Sequence, residues 1–469
     1  MTRELRPSVS GQSARLDDRP RRVIGALPAL AIAAGSMVGI GIFLSPSIVA
    51  AHVPGTAWFF LIWILGGLTA LAGAVACAEL GAMIPEAGGD YVFQHEAFGA
   101  SVAFASGWVL FAAIFSGSVA TLAVGLCTYQ LATLTGSDMS RVVLELPWLG
   151  ELTLARVVAC LVIVVLTGVN TLGARLSSRV QLVLTSIPIL VLAVAALYAI
   201  GAGGDASVGE TGPERGGLPT LHGVTRAYMA VYFAYSGWIN TIYVAGEVKN
   251  PDRNIPFALI GGTLGVTLLY LLLCIGFVSV LGMAGVRSRG EVGTAVGMTL
   301  GGDTAALMVS GLIAIALLAC LNGTILAGAR VGYAMGRRGA IWAALGRLSG
   351  RGNVPALALG FQALIAIGLV LTGGFEQLYA MVSLAMVVTG TLTVGSLFVL
   401  RHTRPDLRRP YLATGYPVLP WVYVGSSLFV IAVMVFEALS GAPGSWYPLL
   451  GLAILAFTFS AHRLGSKKV

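Results

Sequence analysis

Charge is scarce in this chain: 10% of its 469 residues are Asp, Glu, Lys or Arg, while 57% are hydrophobic. One soluble core cannot hide that much apolar surface, so a soluble globular protein is excluded and a bilayer is the expected solvent. Cysteine is sparse too. Cys77, Cys127, Cys160, Cys274 and Cys320 all fall within apolar runs, and none is in CxxC spacing, which argues against a disulfide framework and a thiolate metal site. The five histidines (His52, His95, His222, His402, His462) sit in loops or at the ends of runs. A polytopic membrane enzyme needs a polar catalytic cluster, such as His and Glu at metal spacing, and none is visible. No metal or cofactor is expected. No run carries the polar stripe that would line a channel, and no nucleic-acid module is present. The first 22 residues have no apolar core followed by a small-residue cleavage site. They read as a flexible cytoplasmic tail, not a signal peptide.

Long apolar runs are what the chain does have. Runs of roughly 20 residues can cross the ~30 Å hydrocarbon layer, and twelve occur, at about 24–50, 57–83, 97–130, 153–171, 176–201, 223–247, 256–282, 302–335, 354–373, 377–400, 418–440 and 446–463. The third and eighth are long enough to tilt or to extend beyond the bilayer. With the N-terminus inside, 22 of the 28 Lys and Arg residues fall in cytoplasmic segments, leaving Arg141, Arg156, Arg215, Arg226, Arg287 and Arg289 outside. Cytoplasmic loops retain Lys and Arg, so both termini are expected in the cytoplasm, with residues 23–463 forming one transmembrane domain. The net charge of +8 reflects this orientation and not an anionic partner.

A Gly-rich polar linker, "GAGGDASVGETGPERGGLPTLHG", separates the fifth and sixth runs. It divides the first ten into stretches of similar length, about 24–201 and 225–400. Five helices starting inside, then five starting outside, are related by inverted topology if they share a fold. The first helix of each stretch is interrupted by glycine, in "AAGSMVGIGIF" and in "FAYSGWINTIYVAGE". Interrupted segments at corresponding positions of two halves are the sequence pointer to a transporter's binding site. The expected breaks involve Gly35, Gly39 and Gly41 in the first and Gly237 in the sixth. Gly35 and Gly39 also form a GxxxG spacing, which serves helix packing without a ligand. Gly41 lies off that face and Pro46 follows within two turns, which favours a true break. The start of a second half-helix offers free N–H groups to a carboxylate. Unwound carbonyls of the sixth helix suit an ammonium, and an amino acid carries both groups.

"GIGIFLSP" resembles the signature of the amino acid–polyamine–organocation transporter superfamily, and "YSGWINTIYVAGEVKNPDRNIPFALIGG" is similar to the sixth-helix region of its L-type amino-acid transporters. "AELGAMIPEAGGDYVF", "LNGTILAGARVGYAMGRRG" and "LRHTRPDLRRPYLATGYPVLP" resemble the family's second-helix end, eighth-helix end and tenth-to-eleventh loop. The resemblance implies an all-α membrane protein of about twelve helices. Its core is a five-plus-five inverted repeat with discontinuous first and sixth helices, and two extra helices follow at about 418–463. It implies alternating access, with the substrate carboxylate at the backbone N–H groups of Ile40 and Gly41. The α-ammonium would meet the carbonyls of Met37, Phe233 and Ser236, and the Phe233 ring would act as a gate.

Several positions depart from the family pattern. Ile40 replaces a serine, Ile239 follows Trp238 where Asn is common, and Pro188 stands where several members carry a membrane-embedded lysine. Ala316 and Leu317 occupy positions of eighth-helix hydroxyls, so a sodium site has few visible ligands. The expected function is that of a multi-pass inner-membrane exchanger or facilitator of neutral amino acids. A cationic amino acid or polyamine antiporter and a proton-coupled permease are its alternatives. The antiporters share the proline, but no acidic residue is obvious at mid-membrane depth to pair a cationic side chain. Glu79 and Glu247, near helix ends, read first as ion-pair partners. Eukaryotic L-type relatives attach to a heavy chain through a cysteine between the third and fourth helices. Residues Thr128 to Leu152 contain none, so no disulfide-linked heavy chain is expected.

Overall fold

The computed structural model describes residues 20–146, 150–202, 217–350, 352–372, 375–439 and 447–465. The expected tail, as far as residue 19, and most of the linker between the fifth and sixth helices lie outside the described residues.

Helix dominates, because each apolar run must satisfy its own backbone in lipid. Among the described residues, eight helices are long and apolar enough to cross a membrane. They are α3 (Thr56–Met83), α5 (Ala100–Thr135), α6 (Leu154–Thr171), α7 (Ala174–Ala202), α10 (Pro251–Ser288), α11 (Val292–Arg337), the Ser383–Thr403 portion of α13 (Phe375–Thr403) and α14 (Val418–Leu439). A bent pair, α1 (Ala26–Met37) and α2 (Gly41–His52), adds a ninth span with a 41° bend. The interrupted stretch α8 (Leu221–Ala234) and α9 (Asn240–Tyr243) joins the shorter helices α12 (Ala356–Thr372) and α15 (Tyr447–Gly465) to complete about twelve crossings. The chain is a multi-pass membrane protein. Leu161, Leu190 and Val194 are each more than 60% exposed on these helices, an arrangement suited to lipid and costly in water.

α11 turns at Gly301 and Gly302, which leave helical geometry, with Gly302 at φ +63°, so the eighth run, expected from about 302, starts at this kink. Two details differ from the sequence expectation. The connection between α5 and α6 is not all loop. It holds two antiparallel strands, β1 (Val142–Leu146) and β2 (Gly150–Thr153). The β-branched Val142 and Val143 favour the extended backbone. Between α3 and α5 lies the short α4 (Asp90–Phe98), which packs on α13 through Gln94. The Gln94 amide donates to the Thr389 carbonyl at 3.0 Å and to the Thr393 hydroxyl at 2.9 Å.

Contacts distant in sequence tie both described ends of the chain to the bundle. Ile24, just before α1, pairs with Val248 in a parallel bridge, its N–H donating to the Glu247 carbonyl at 2.9 Å. At the other end, His462 of α15 lies 3.2 Å from the Ser101 hydroxyl at the start of α5.

Ion pairs close the face on which Ile24 meets Glu247. Arg330 of α11 is 0% exposed and forks onto Glu247 through Nε–Oε1 at 2.8 Å and Nη2–Oε2 at 3.1 Å. Glu79 of α3 is equally buried and takes Arg401 at 2.6 Å, with the Ala413 N–H at 2.6 Å. Arg338 reaches Glu86 and Glu96 nearer the surface. Both Glu79 and Glu247 are therefore ion-pair partners, as their places near helix ends suggest.

Candidate functional site

Both helix interruptions border one cavity of about 330 Å³. The first falls at Val38 to Ile40. Val38 ends α1 with ψ 83°, and Ile40 occupies the position before α2 with no side-chain cap. The first N–H groups of a helix have no intrahelical acceptor, so Gly41 and Ile42 present uncapped donors here. The second break spans Tyr235 to Ile239 and turns on Gly237, whose φ is +103°. Side chains rarely adopt that conformation, and a Cβ at Gly237 would also overlap the Ser36 carbonyl oxygen. The two interruptions lie against one another.

Met37, Ile40, Gly41, Phe233 and Ser236 all line the cavity, together with Gly39, Gly237 and Trp238. The other expected break residue, Gly35, does not. It lies inside α1, where a Cβ would collide with Thr185 and Gln181 of α7. Gly35 therefore serves close helix packing, and the break begins three residues later. Gly41 has a similar duty: a Cβ there would stand 2.8 Å from the Ala234 Cα. Its lack of a side chain lets α2 cross α8 at backbone distance.

Two of the carbonyls assigned to an ammonium are already engaged. The Met37 carbonyl accepts from the Gly39 N–H at 2.8 Å and the Tyr270 hydroxyl at 2.7 Å. The Phe233 carbonyl accepts from the Ser236 N–H at 3.0 Å and the Ser236 hydroxyl at 2.7 Å. Carbonyls freed by a broken helix take the nearest donors, so a cation arriving here must displace or share them. Tyr270, on α10, also lies 3.2 Å from the Ala234 carbonyl and so touches both interruptions. It is not among the residues expected from sequence. Its signal was a single tyrosine in the apolar run "LLYLLL", where a buried hydroxyl needs a partner.

Other residues join from elsewhere in the chain. Leu110, Ile114 and Phe115 come from a π-helical stretch of α5, Val109–Phe115, an irregularity frequent at functional sites. Cys320 and Thr324 of α11, Thr389 of α13 and Tyr423 of α14 complete the wall. Asp90 is the one acidic side chain among the described lining residues, a carboxylate not expected there from sequence. Behind α1 lies a buried amide chain. Asn170 donates to Asn322 at 2.8 Å, Asn322 donates to Gln181 at 2.7 Å, and Gln181 and Thr185 donate to the Ala31 carbonyl. Asn322 thus bonds across helices and lies outside the cavity lining. Among the described residues no group of His, Cys, Asp and Glu could hold a metal ion.

A cavity between two interrupted membrane helices, with a largely apolar wall that also carries hydroxyls and Asp90, is the arrangement of a secondary transporter. Residues 24–459 match the family described as amino acid permease, and the chain belongs to that family. It is 30% identical to the mouse (Mus musculus) b(0,+)-type amino acid transporter 1 over 416 residues, 88% of this chain and 82% of that one. It is 28% identical to the serine/threonine exchanger SteT of Bacillus subtilis (strain 168) over 446 residues, 93% of this chain and 97% of SteT. The mouse large neutral amino acids transporter small subunit 2 is 27% identical over 397 residues, 83% of this chain and 72% of its own.

Proposed function

We propose that this permease exchanges neutral amino acids across a bacterial-type cell membrane by alternating access, with both termini cytoplasmic. The observation that carries the reading is the cavity in which the uncapped start of α2 meets the carbonyl-rich turn of the sixth crossing. The substrate carboxylate sits at the N–H groups of Ile40 and Gly41, where the helix dipole favours an anion. Its ammonium takes the carbonyls of Met37, Phe233 and Ser236, displacing the Tyr270 and Ser236 hydroxyls. Leu110, Ile114, Leu122 and Met386 give the side chain an apolar surround, and no Lys or Arg is among the described lining residues. The stretches 24–201 and 225–400 act as two inverted repeats, with 418–463 as added helices, and no disulfide-linked heavy chain is required. The names of SteT and of the neutral amino acid transporter support exchange of this substrate class. An ordinary driving ion has few ligands: Pro188, Ala316 and Leu317 are all buried and none offers a side-chain oxygen.

The deciding experiment is counterflow in proteoliposomes loaded with each amino acid in turn. Trans-side neutral amino acid should accelerate uptake. Accumulation in empty vesicles that depends on an imposed sodium or proton gradient would overturn exchange.

Phe233 is the gate in this reading. Its ring packs edge-on against Tyr232 at 5.8 Å. Phe233→Ala should lower transport more than binding, because a gate acts when the site closes, and Phe233→Trp should keep most activity. Equal losses in counterflow and in ligand-induced thermal shift would make the ring a plain contact.

A further inference from the structure

Asp90 begins α4 and lines the cavity, and the exchange mechanism gives it no task. It is 2% exposed, and its Oδ1 has no hydrogen-bond partner. The titratable groups around it are Cys77 from α3, Tyr243 from α9 and Tyr423 from α14. From α13 comes the Thr393 hydroxyl, and Arg330 of α11 is committed to Glu247. On α4 itself, His95 and Glu96 face each other, with Glu96 also on Arg338. No ion pair found among the described residues includes Asp90. Burial without a cation pushes its carboxyl up to about 7, against the opposing pull of the Tyr243 and Thr393 hydroxyls.

Asp90 also rides on the turn that separates the cavity from the ion-paired face. Arg338 holds Glu86 at the outer end of that turn. Nearer Asp90, the Gly88 N–H donates to the Tyr243 carbonyl at 3.0 Å, and Gly89, at φ +49°, leaves room for the Tyr243 ring. Gln94 pins the same helix to α13. Opening the cavity toward this face must draw the turn from Tyr243 and admit water, which returns the carboxyl toward the ordinary aspartate range.

We propose that Asp90 is a proton-binding site that holds this side of the cavity shut when protonated and releases it when ionised. The inference rests on the transport reading. The closed form binds the proton more tightly, so its advantage is complete below the ordinary aspartate value and is lost as pH rises through about 7.

The test is counterflow with equal pH on both faces. Wild-type exchange should fall about tenfold between roughly pH 8.5 and 5.5. Asp90→Asn, permanently neutral, should be slow and indifferent to pH. Tyr243→Phe removes a hydroxyl that lowers the Asp90 value, so its pH midpoint should move upward. That variant decides the matter if Asp90→Asn does not fold. A wild-type rate indifferent to pH, a pH dependence that survives in Asp90→Asn, or an unmoved midpoint in Tyr243→Phe overturns the proposal alone. No exchange at any pH would instead refute the transport reading.

Discussion

Arg330→Met should lose about 3–5 kcal/mol of stability, because it strands Glu247 as an uncompensated buried charge. Arg330 is 0% and Glu247 1% exposed, so neither can turn to water when its partner is removed. Glu247→Gln should also destabilise, since it leaves the guanidinium buried without a counter-charge. The double variant should recover part of the loss, because no isolated charge remains. Thermal unfolding in detergent, run as a double-mutant cycle, measures the coupling. Strictly additive losses would mean that the two side chains act independently, and the buried pair would not be what closes this face. The exposed pair Arg408–Asp252 is the natural comparison, and breaking it should change stability by less than about 1 kcal/mol.

Gly237→Ala should abolish counterflow. A side chain at φ +103° is strained by about 1–3 kcal/mol. The new Cβ would also push against the Ser36 carbonyl, forcing apart the two interruptions that make the cavity. Gly168→Ala is the matched control, because a Cβ there meets nothing within 4 Å. Counterflow and ligand-induced thermal shift in both variants provide the check. Normal exchange in Gly237→Ala would show that the turn relaxes without cost, and would separate the close approach from function.

The positions of the crossings were legible because lipid imposes one rule on the whole chain, and runs of apolar residues reveal it directly. The interruptions were legible for the same reason: Gly39 and Gly237 weaken helices where a membrane demands strength. The duty of an individual glycine was not. Gly35 and Gly41 look alike in sequence, yet one accommodates Gln181 and Thr185 and the other Ala234. These partners lie far along the chain, and only the fold names them. The same holds for Asp90, whose "GGDYVF" setting gives no hint of a cavity, and for Tyr270, whose partner Met37 is 233 positions distant. The strand pair after α5 was not legible, because strands of five and four residues without apolar–polar alternation are too short to stand out beside long apolar runs.

The Tyr270 hydroxyl has one hydrogen and two claimants, the Met37 carbonyl at 2.7 Å and the Ala234 carbonyl at 3.2 Å. A hydroxyl turns about a single bond, so the hydrogen can be given to either carbonyl but fully to only one. At these distances Met37 holds the larger share. A cation that occupies the Met37 oxygen frees the hydrogen for Ala234, so the end of α8 is tightened by an event at the end of α1. The two interruptions are rivals for one donor, and whatever satisfies the first is felt at the second through the rotation of a single bond.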